Sequence, residues 1–539
     1  MTCSRYRVDR RCSAGKYLRD SVHIGGLELT LRVTSERLAK LTADIGRTGV
    51  IALALVLLSY SPNLFLRFAF ADDYAYLAIH GYRAVNPFFL ADGRPLGGFL
   101  AVFLFTVFDR ISYDAVLRFL ALAQIMLALF LIQRAAVRAG LEAKWAALLS
   151  VAFVASPAVQ NWVPWGVAAW QMPALLCALV SLEYWRRLID ERGCLSAFSA
   201  VAFGVLSFVG MLIYQPFATA VWPLILLETI VGPRDRILYR RVVLGLLLYA
   251  TVLVLYFLFY KFFLVTFVPP DGPHGRTSLI GIDAVPTRLA WFFSGPVYSS
   301  FSLFFTHGKA WVAAATVTLG IVGIWRFSGG RFATMTLLLL FALAVTFLSH
   351  APSLAAPEPT GVRTQVTLAL TAVCIVVPGL AALTDIVGWK GFWTNAFALT
   401  ACAGISLWAG LTVMKVTAWP QALELALIER ELEKTPLPVD RPILLVGLPY
   451  GVSLAGRLCD DVANMGCVSS SMQFALPNMV RLWMRDRRID FTRYKLLFVS
   501  SEASKTAISF EPNRTTRVPI PENAYFLNLG AVVTNAARP

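Results

Sequence analysis

The chain has 539 residues, of which 57% are hydrophobic and only 15% charged, whereas soluble domains carry about 25% charge. That much apolar sequence exceeds what one aqueous core buries at this length, which excludes an ordinary soluble enzyme and calls for a bilayer as second solvent. The formal charge of +16 does not mark a nucleic-acid partner, because basic residues gather in the first 47 positions, in short inter-helix loops and in the last 120 residues, a pattern that in membrane chains sets orientation and meets anionic headgroups of membrane lipids.

Residues 1–47 hold ten Lys/Arg against five Asp/Glu and read as a basic cytoplasmic leader without a cleavable signal pattern. Runs such as Val50 to Tyr60, Val242 to Phe263 and Phe332 to Leu348 then approach the ~20 residues that cross a bilayer. The pattern predicts about 11 transmembrane helices, at 48–66, 115–133, 145–158, 171–187, 195–214, 216–232, 242–263, 310–326, 331–349, 364–383 and 392–413. With the N-terminus cytoplasmic, the inner loops carry Arg134, Arg138 and Lys144, then Arg186, Arg187 and Arg192, then Arg234, Arg236, Arg240 and Arg241, while 159–170 has no charge. That is the positive-inside asymmetry. Leu96 to Phe108 is too short to span, and Leu289 to Phe305 is broken by Ser294, Gly295 and Pro296; both are predicted as in-plane outer helices. Lys261 and Glu228 fall near helix ends, which speaks against charges in mid-membrane.

The expected fold is an all-α polytopic membrane protein over 48–414 with a small C-terminal α/β extracytoplasmic domain over 415–539. In the latter, a charged amphipathic stretch from Ala422 to Lys434 precedes Pro436, Pro438 and Pro442. Strands are predicted at 443–446, 496–499 and 525–527. A helix near Asn478 to Arg488, with Arg481, Trp483, Arg485, Arg487 and Arg488, reads as a solvated amphipathic face or a contact to anionic lipid or acceptor phosphate.

Candidate chemistry begins with Phe68-Ala-Phe-Ala-Asp72-Asp73-Tyr74-Ala-Tyr76, directly after the first span. Adjacent carboxylates on a helix point about 100° apart, so one of the two faces any site. Near the apolar phase, and beside a like charge, a carboxyl is raised in pKa and suits a general base; a helix cap is the plainer role. Arg94, in Asp92-Gly93-Arg94-Pro95, and Arg363, after a proline-rich loop with His350 and Glu358, offer guanidinium forks for phosphate or snorkel to headgroups. The loop Asn161-Trp162-Val-Pro164-Trp165-Gly-Val-Ala-Ala-Trp170-Gln171 is an interfacial aromatic belt or a sugar-stacking surface with Gln171 as hydrogen-bonding partner, and Tyr214-Gln215-Pro216 shares that ambiguity. The loop Val265 to Arg288 is a lid or a connector. Cys459 and Cys467 share the C-terminal region; if it lies outside the cytoplasm the compartment permits a disulfide, but sequence does not fix the geometry that pairing needs. Asp460-Asp461 reads as a solvated turn, and no metal ligand is assigned.

Phe70-Ala-Asp72-Asp73-Tyr74, Asp92-Gly93-Arg94-Pro95-Leu96 and the run from Ser349-His350-Ala-Pro352 through Arg363 together resemble the GT-C superfamily of membrane glycosyltransferases, most of all the bacterial O-antigen glucosyltransferase-type branch. The resemblance implies a hexosyltransferase of the bacterial inner membrane. It would move a sugar from a polyprenyl-phosphate donor to a cell-envelope glycan, such as lipopolysaccharide, or to a lipid on the extracytoplasmic face. It implies Asp73, ahead of Asp72, as the catalytic carboxylate, Arg94 and Arg363 on the donor phosphate, and Tyr76, Trp165, Gln171, His350 and Glu358 along the substrates. Some such enzymes use a divalent metal and others do not. The alternative is a transporter, flippase or assembly partner for lipid-linked oligosaccharide, which would need mid-membrane charge and repeat symmetry.

Overall fold

The computed structural model describes residues 45–70, 72–78, 86–190, 193–267, 280–305, 308–356, 361–448, 469–472, 475–500, 506–511 and 514–537. Glu358, Cys459, Cys467, Asp460, Asp461 and the proline-rich part of the 265–288 loop lie outside them. Among the described residues seven helices are long and apolar enough to cross a membrane: Ile45–Phe65, Ile111–Arg138, Ala197–Ala218, Arg236–Phe267, Ala310–Phe327, Val366–Ile386 and Phe392–Lys434. Each coincides with a predicted span. Their outward faces carry Leu58, Val254, Leu258, Leu340 and Leu407 exposed, as helices solvated by lipid tails do.

Where the other four spans are predicted, the chain forms Ala143–Val154, Ala168–Trp185, Val221–Val231 and Phe332–Leu348. At 1.5 Å per residue the 11-residue Val221–Val231 rises about 17 Å, well short of the ~30 Å hydrocarbon core. These lengths do not establish eleven crossings. The cause is local: Pro157 starts a new turn after Val154, and Tyr214, with φ −159° and ψ 104°, kinks the chain just before Pro216. Such breaks are tolerated at membrane depth only inside protein, and residues 143–175 and 210–227 are almost wholly buried. Helices 310–327 and 366–386 cross in contact, since a Cβ on Gly379 would come within 2.0 Å of Leu319 O; small residues allow such approach.

The expected in-plane elements form as Pro95–Val107 and as Val285–Phe292 running through a π turn, Phe293–Val297, into Tyr298–Phe301. Gly97, Gly98, Ala101 and Phe105 face the protein, while Phe99, Phe103 and Val107 face away. Basic loops gather at one end of the bundle: Arg138 pairs with Glu183, Arg186 with Glu228, and Arg241 donates to Ile189 O. Asp114 begins the helix that ends near Arg138, so the acidic pair lies at the opposite end, roughly 40 Å away at helical rise.

The boundary expected at 414/415 falls inside a continuous helix. Phe392–Val413 passes through a π turn, Met414–Ala418, into Trp419–Lys434. Beyond it lies a sheet of five strands, β1 (Ile443–Val446), β2 (Leu496–Val499), β3 (Thr506–Glu511), β4 (Arg514–Pro519) and β5 (Tyr525–Asn528), in the order β4-β3-β2-β1-β5. β1 runs parallel to β2 and β5, with Ile443 opposite Leu496 and Tyr525; β2, β3 and β4 pair antiparallel. Helix Ala475–Asp486 makes the crossover between β1 and β2. It is not a solvated face: Leu476, Met479, Val480, Leu482 and Trp483 are buried, and it packs against the short helix Asp72–Ala78.

Candidate functional site

The first span ends in a 3-10 turn, Ser61–Phe65, with Pro62 in its first turn. The chain leaves that turn at Leu66 in extended backbone and runs on to Phe70 without regular structure before helix Asp72–Ala78 begins. Backbone groups on such a stretch need partners, and side chains from distant elements supply them. Asn63 donates from Nδ2 to Val163 O at 3.1 Å. Arg118 donates to Asn63 O at 2.9 Å and Leu66 O at 2.7 Å, lies 3.8 Å over the Phe68 ring, and pairs with Asp114 at 3.2 Å.

Asp73 is 0% exposed. Its Oδ2 accepts from Phe70 N at 3.1 Å and Gly166 N at 3.0 Å, and its Oδ1 from Val167 N at 2.8 Å. Burial, and then the neighbouring Asp114 charge, lift its carboxyl well above the ordinary range, while the three backbone N–H groups pull the other way. Both oxygens are thus occupied in binding the first loop to the Trp-rich loop. Asp72, one residue earlier, is half-buried at the start of the same helix.

Tyr76 lies stacked on Phe105 at 5.0 Å and near Phe89 at 6.2 Å. Burial, followed by the Asp72 carboxylate, pushes its phenol upward, with Arg94 opposing, so the acidic pair and Arg94 both bear on it. Arg94 sits in a turn held from two sides. Its Nε donates to Gln215 Oε1 at 3.0 Å, its guanidinium lies 4.7 Å from the Tyr214 ring, and Asp92 is 3.6 Å away. Gln215 Nε2 also donates to Asp92 O and Gly93 O, and Tyr256 donates to Gly93 O. Gly93 has φ +71°, and a Cβ there would meet Tyr256 Oη at 2.3 Å, so the turn takes glycine alone.

From Tyr214 an aromatic cluster leads to the other arginine. Tyr214 touches Trp162 at 5.7 Å, Trp162 stacks on Trp165 at 5.2 Å, Trp165 meets Phe70 edge-on at 5.5 Å, and Arg363 lies 5.0 Å over Trp165. The Arg363 carbonyl accepts from Trp162 Nε1 at 3.0 Å. Neither the Trp165 indole nitrogen nor Gln171 Oε1 has a hydrogen-bond partner among the described residues. Asp72, Asp73, Tyr76, Arg94, Trp165, Gln171 and Arg363 therefore all belong to one end of the bundle, several in one contact network. His350 does not join it. It stacks on Phe292 at 5.7 Å near Trp291, and burial, then the Arg288 charge, lower it to about 3, leaving a neutral ring.

Asp114 and Arg118 are the residues that sequence reasoning missed. Arg118 sits one turn after Asp114 near the start of a spanning helix and is 0% exposed. An arginine four residues after an aspartate inside an apolar run was the available signal. Among the described residues no three His, Cys, Asp or Glu side chains converge as a metal site would need.

No family model matches the chain, and no curated protein sequence matches it. Among solved structures, the chain is similar to the crystal structure of the Archaeoglobus fulgidus oligosaccharyltransferase in complex with zinc and sulfate. The match has 14% identity and a TM-score of 0.35, and covers 84% of this chain and 67% of that one. No residue role is carried over from it.

Proposed function

We propose that this multi-pass membrane protein is a glycosyltransferase that takes a sugar from a polyprenyl-phosphate donor and passes it to an envelope glycan or lipid on the extracytoplasmic face. The observation that carries the reading is the convergence of an acidic pair and two arginine-bearing turns on one aromatic cluster. Asp72 is the general base in this account, and Asp73 the residue that holds it: a base must reach an acceptor hydroxyl, and both Asp73 oxygens already take backbone N–H groups.

The acceptor hydroxyl oxygen attacks the anomeric carbon as its proton passes to Asp72. The bond from that carbon to the donor phosphate oxygen breaks, and the polyprenyl phosphate leaves with the bonding pair. Arg94 and Arg363 meet the charge that develops on it, where preorganised cations act most strongly. Trp165, its ring held between Trp162 and Arg363, offers its indole N–H to the sugar, and Gln171 Oε1 an acceptor for a hydroxyl. The C-terminal domain, which meets the first loop where Arg485 donates to Leu77 O at 3.0 Å and Arg67 pairs with Glu429 at 2.5 Å and Asp486 at 3.6 Å, would border the acceptor. The polyprenyl chain would lie along the lipid-facing side of the bundle.

One observation favours the transport reading, namely the charged Asp114–Arg118 pair within a span. Its guanidinium nitrogens, however, are turned to Asn63 O, Leu66 O and Asp114 rather than to a pathway. The test is sugar transfer in membranes from a strain lacking the gene. Label should pass from polyprenyl-phosphate lipid into the envelope fraction with wild type and not with Asp72→Asn; equal incorporation by both overturns the catalytic role.

A further inference from the structure

The Asp114–Arg118 pair has no part in the proposed transfer step, yet it is wholly buried. Placing two charges in a low-dielectric interior costs several kcal/mol per ion before pairing, so an apolar pair would make a cheaper helix. Arg118 donates two hydrogen bonds to one stretch of chain, Nη1 to Asn63 O and Nη2 to Leu66 O, while its Nε lies 3.2 Å from Asp114 Oδ2 as an ion pair without a hydrogen bond. Its plane covers the Phe68 ring. That stretch leads straight into Phe70, whose N–H reaches Asp73 and whose ring meets Trp165, the ring beneath Arg363.

Asp114 approaches the same network from the other side. A Cβ on Gly166 would lie 2.3 Å from Asp114 Oδ1 and 3.4 Å from the Asp73 carboxyl carbon. Two carboxylates and one guanidinium therefore meet at the point where the Trp-rich loop crosses the acidic loop, and Asn63 ties the loops again through Val163 O.

We propose that Arg118, oriented by Asp114, is a positioning residue: it sets the register of the Asn63–Phe70 stretch against loop 163–167, and so the placement of Asp72 relative to Arg363. The inference rests on the reading of Asp72 as the base. Lysine at 118 keeps the charge but serves one carbonyl at a time, because it lacks the planar fork. A displacement near 1 Å of a catalytic group costs on the order of 100-fold in rate.

The experiment uses the purified full chain in detergent, with Arg118→Lys and, in case that variant does not fold, the isosteric Asp114→Asn. Amide hydrogen exchange should quicken in 63–70 and 161–167 and stay unchanged in β1 and β2. Transfer, using donor lipid extracted from a strain lacking the gene, should fall by roughly 10- to 100-fold, while affinity for farnesyl phosphate stays within about twofold. Combined with Asp72→Asn, the variant should be no slower than Asp72→Asn alone, since both act through one group. Unchanged exchange in the two loops, or a double variant slowed by the product of the single effects, overturns the inference. Full activity of Asp72→Asn would instead overturn the catalytic reading, and the exchange pattern would still report on the register.

Discussion

The membrane-embedded part and the C-terminal domain are each closed by a buried carboxylate that takes backbone N–H groups from a distant loop. Asp73 holds Gly166 and Val167; Glu424, in Trp419–Lys434, holds Ser469 at 2.9 Å and Ser470 at 2.7 Å. Both are 0% exposed. Their surroundings differ. Glu424 has serines and Gln421 about it, with Ser469 Oγ donating to Gln421 at 2.6 Å. Asp73 has a second carboxylate, a buried arginine and a half-buried Asp72 as neighbours. A buried, saturated carboxylate is thus a loop fastener in both places, and what distinguishes the candidate site is the half-buried acid beside it.

That comparison breaks if the wrong carboxylate proves essential. Asp72→Asn should lower transfer by about 10²- to 10⁴-fold, the usual worth of a general base, with the thermal midpoint unchanged. Asp73→Ala should act on the fold first, leaving three buried N–H groups unpaired at a cost on the order of 3 kcal/mol or more, seen as a lower yield of monodisperse protein. The milder Asp73→Asn sharpens the point through pH. A carboxyl raised on folding adds stability below its unfolded value, near 4, and loses it as pH rises through the folded value. The stability advantage of wild type over Asp73→Asn should therefore shrink from acidic to alkaline pH in thermal-shift measurements.

Smaller effects test the C-terminal half. Glu424→Gln should cost about 1–3 kcal/mol of stability and leave transfer per folded molecule unchanged; a selective loss of rate would make Glu424 more than a fastener. Arg67→Ala should cost less than about 1 kcal/mol, because the Arg67 side chain is 47% exposed in its pair with Glu429. A clear fall in acceptor affinity with Arg67→Ala, measured as KM, would show that the domain contact matters to substrate entry.

Much of the fold could be read from residues alone because its signals are local. β1 and β2 lie where their apolar runs put them, β1 directly after Pro442, and β5 ends one residue later than expected. The prolines at 436, 438 and 442 end the helix at Lys434. β3 and β4 went unread although Pro512-Asn513 separates two alternating runs, because polar Thr and Arg dominate the second. Composition changes near 415, and Ala, Leu, Glu and Lys sustain a helix there as well as the apolar residues before them. The candidate residues Asp72, Asp73, Arg94 and Arg363 were visible as types near predicted interfaces. Their roles were not, since Asp73 meets partners 93 and 94 positions away and Arg118 meets carbonyls 52 and 55 away.

The most direct test is lipid mass spectrometry on a strain lacking the gene, complemented with wild type, Asp72→Asn or an empty vector, with the sugar content of the envelope glycan measured alongside. The account predicts that a polyprenyl-phosphate sugar accumulates and one glycan substituent disappears with the empty vector and with Asp72→Asn, and that wild type reverses both. Restoration of both by Asp72→Asn, or donor levels indifferent to the gene, would contradict it.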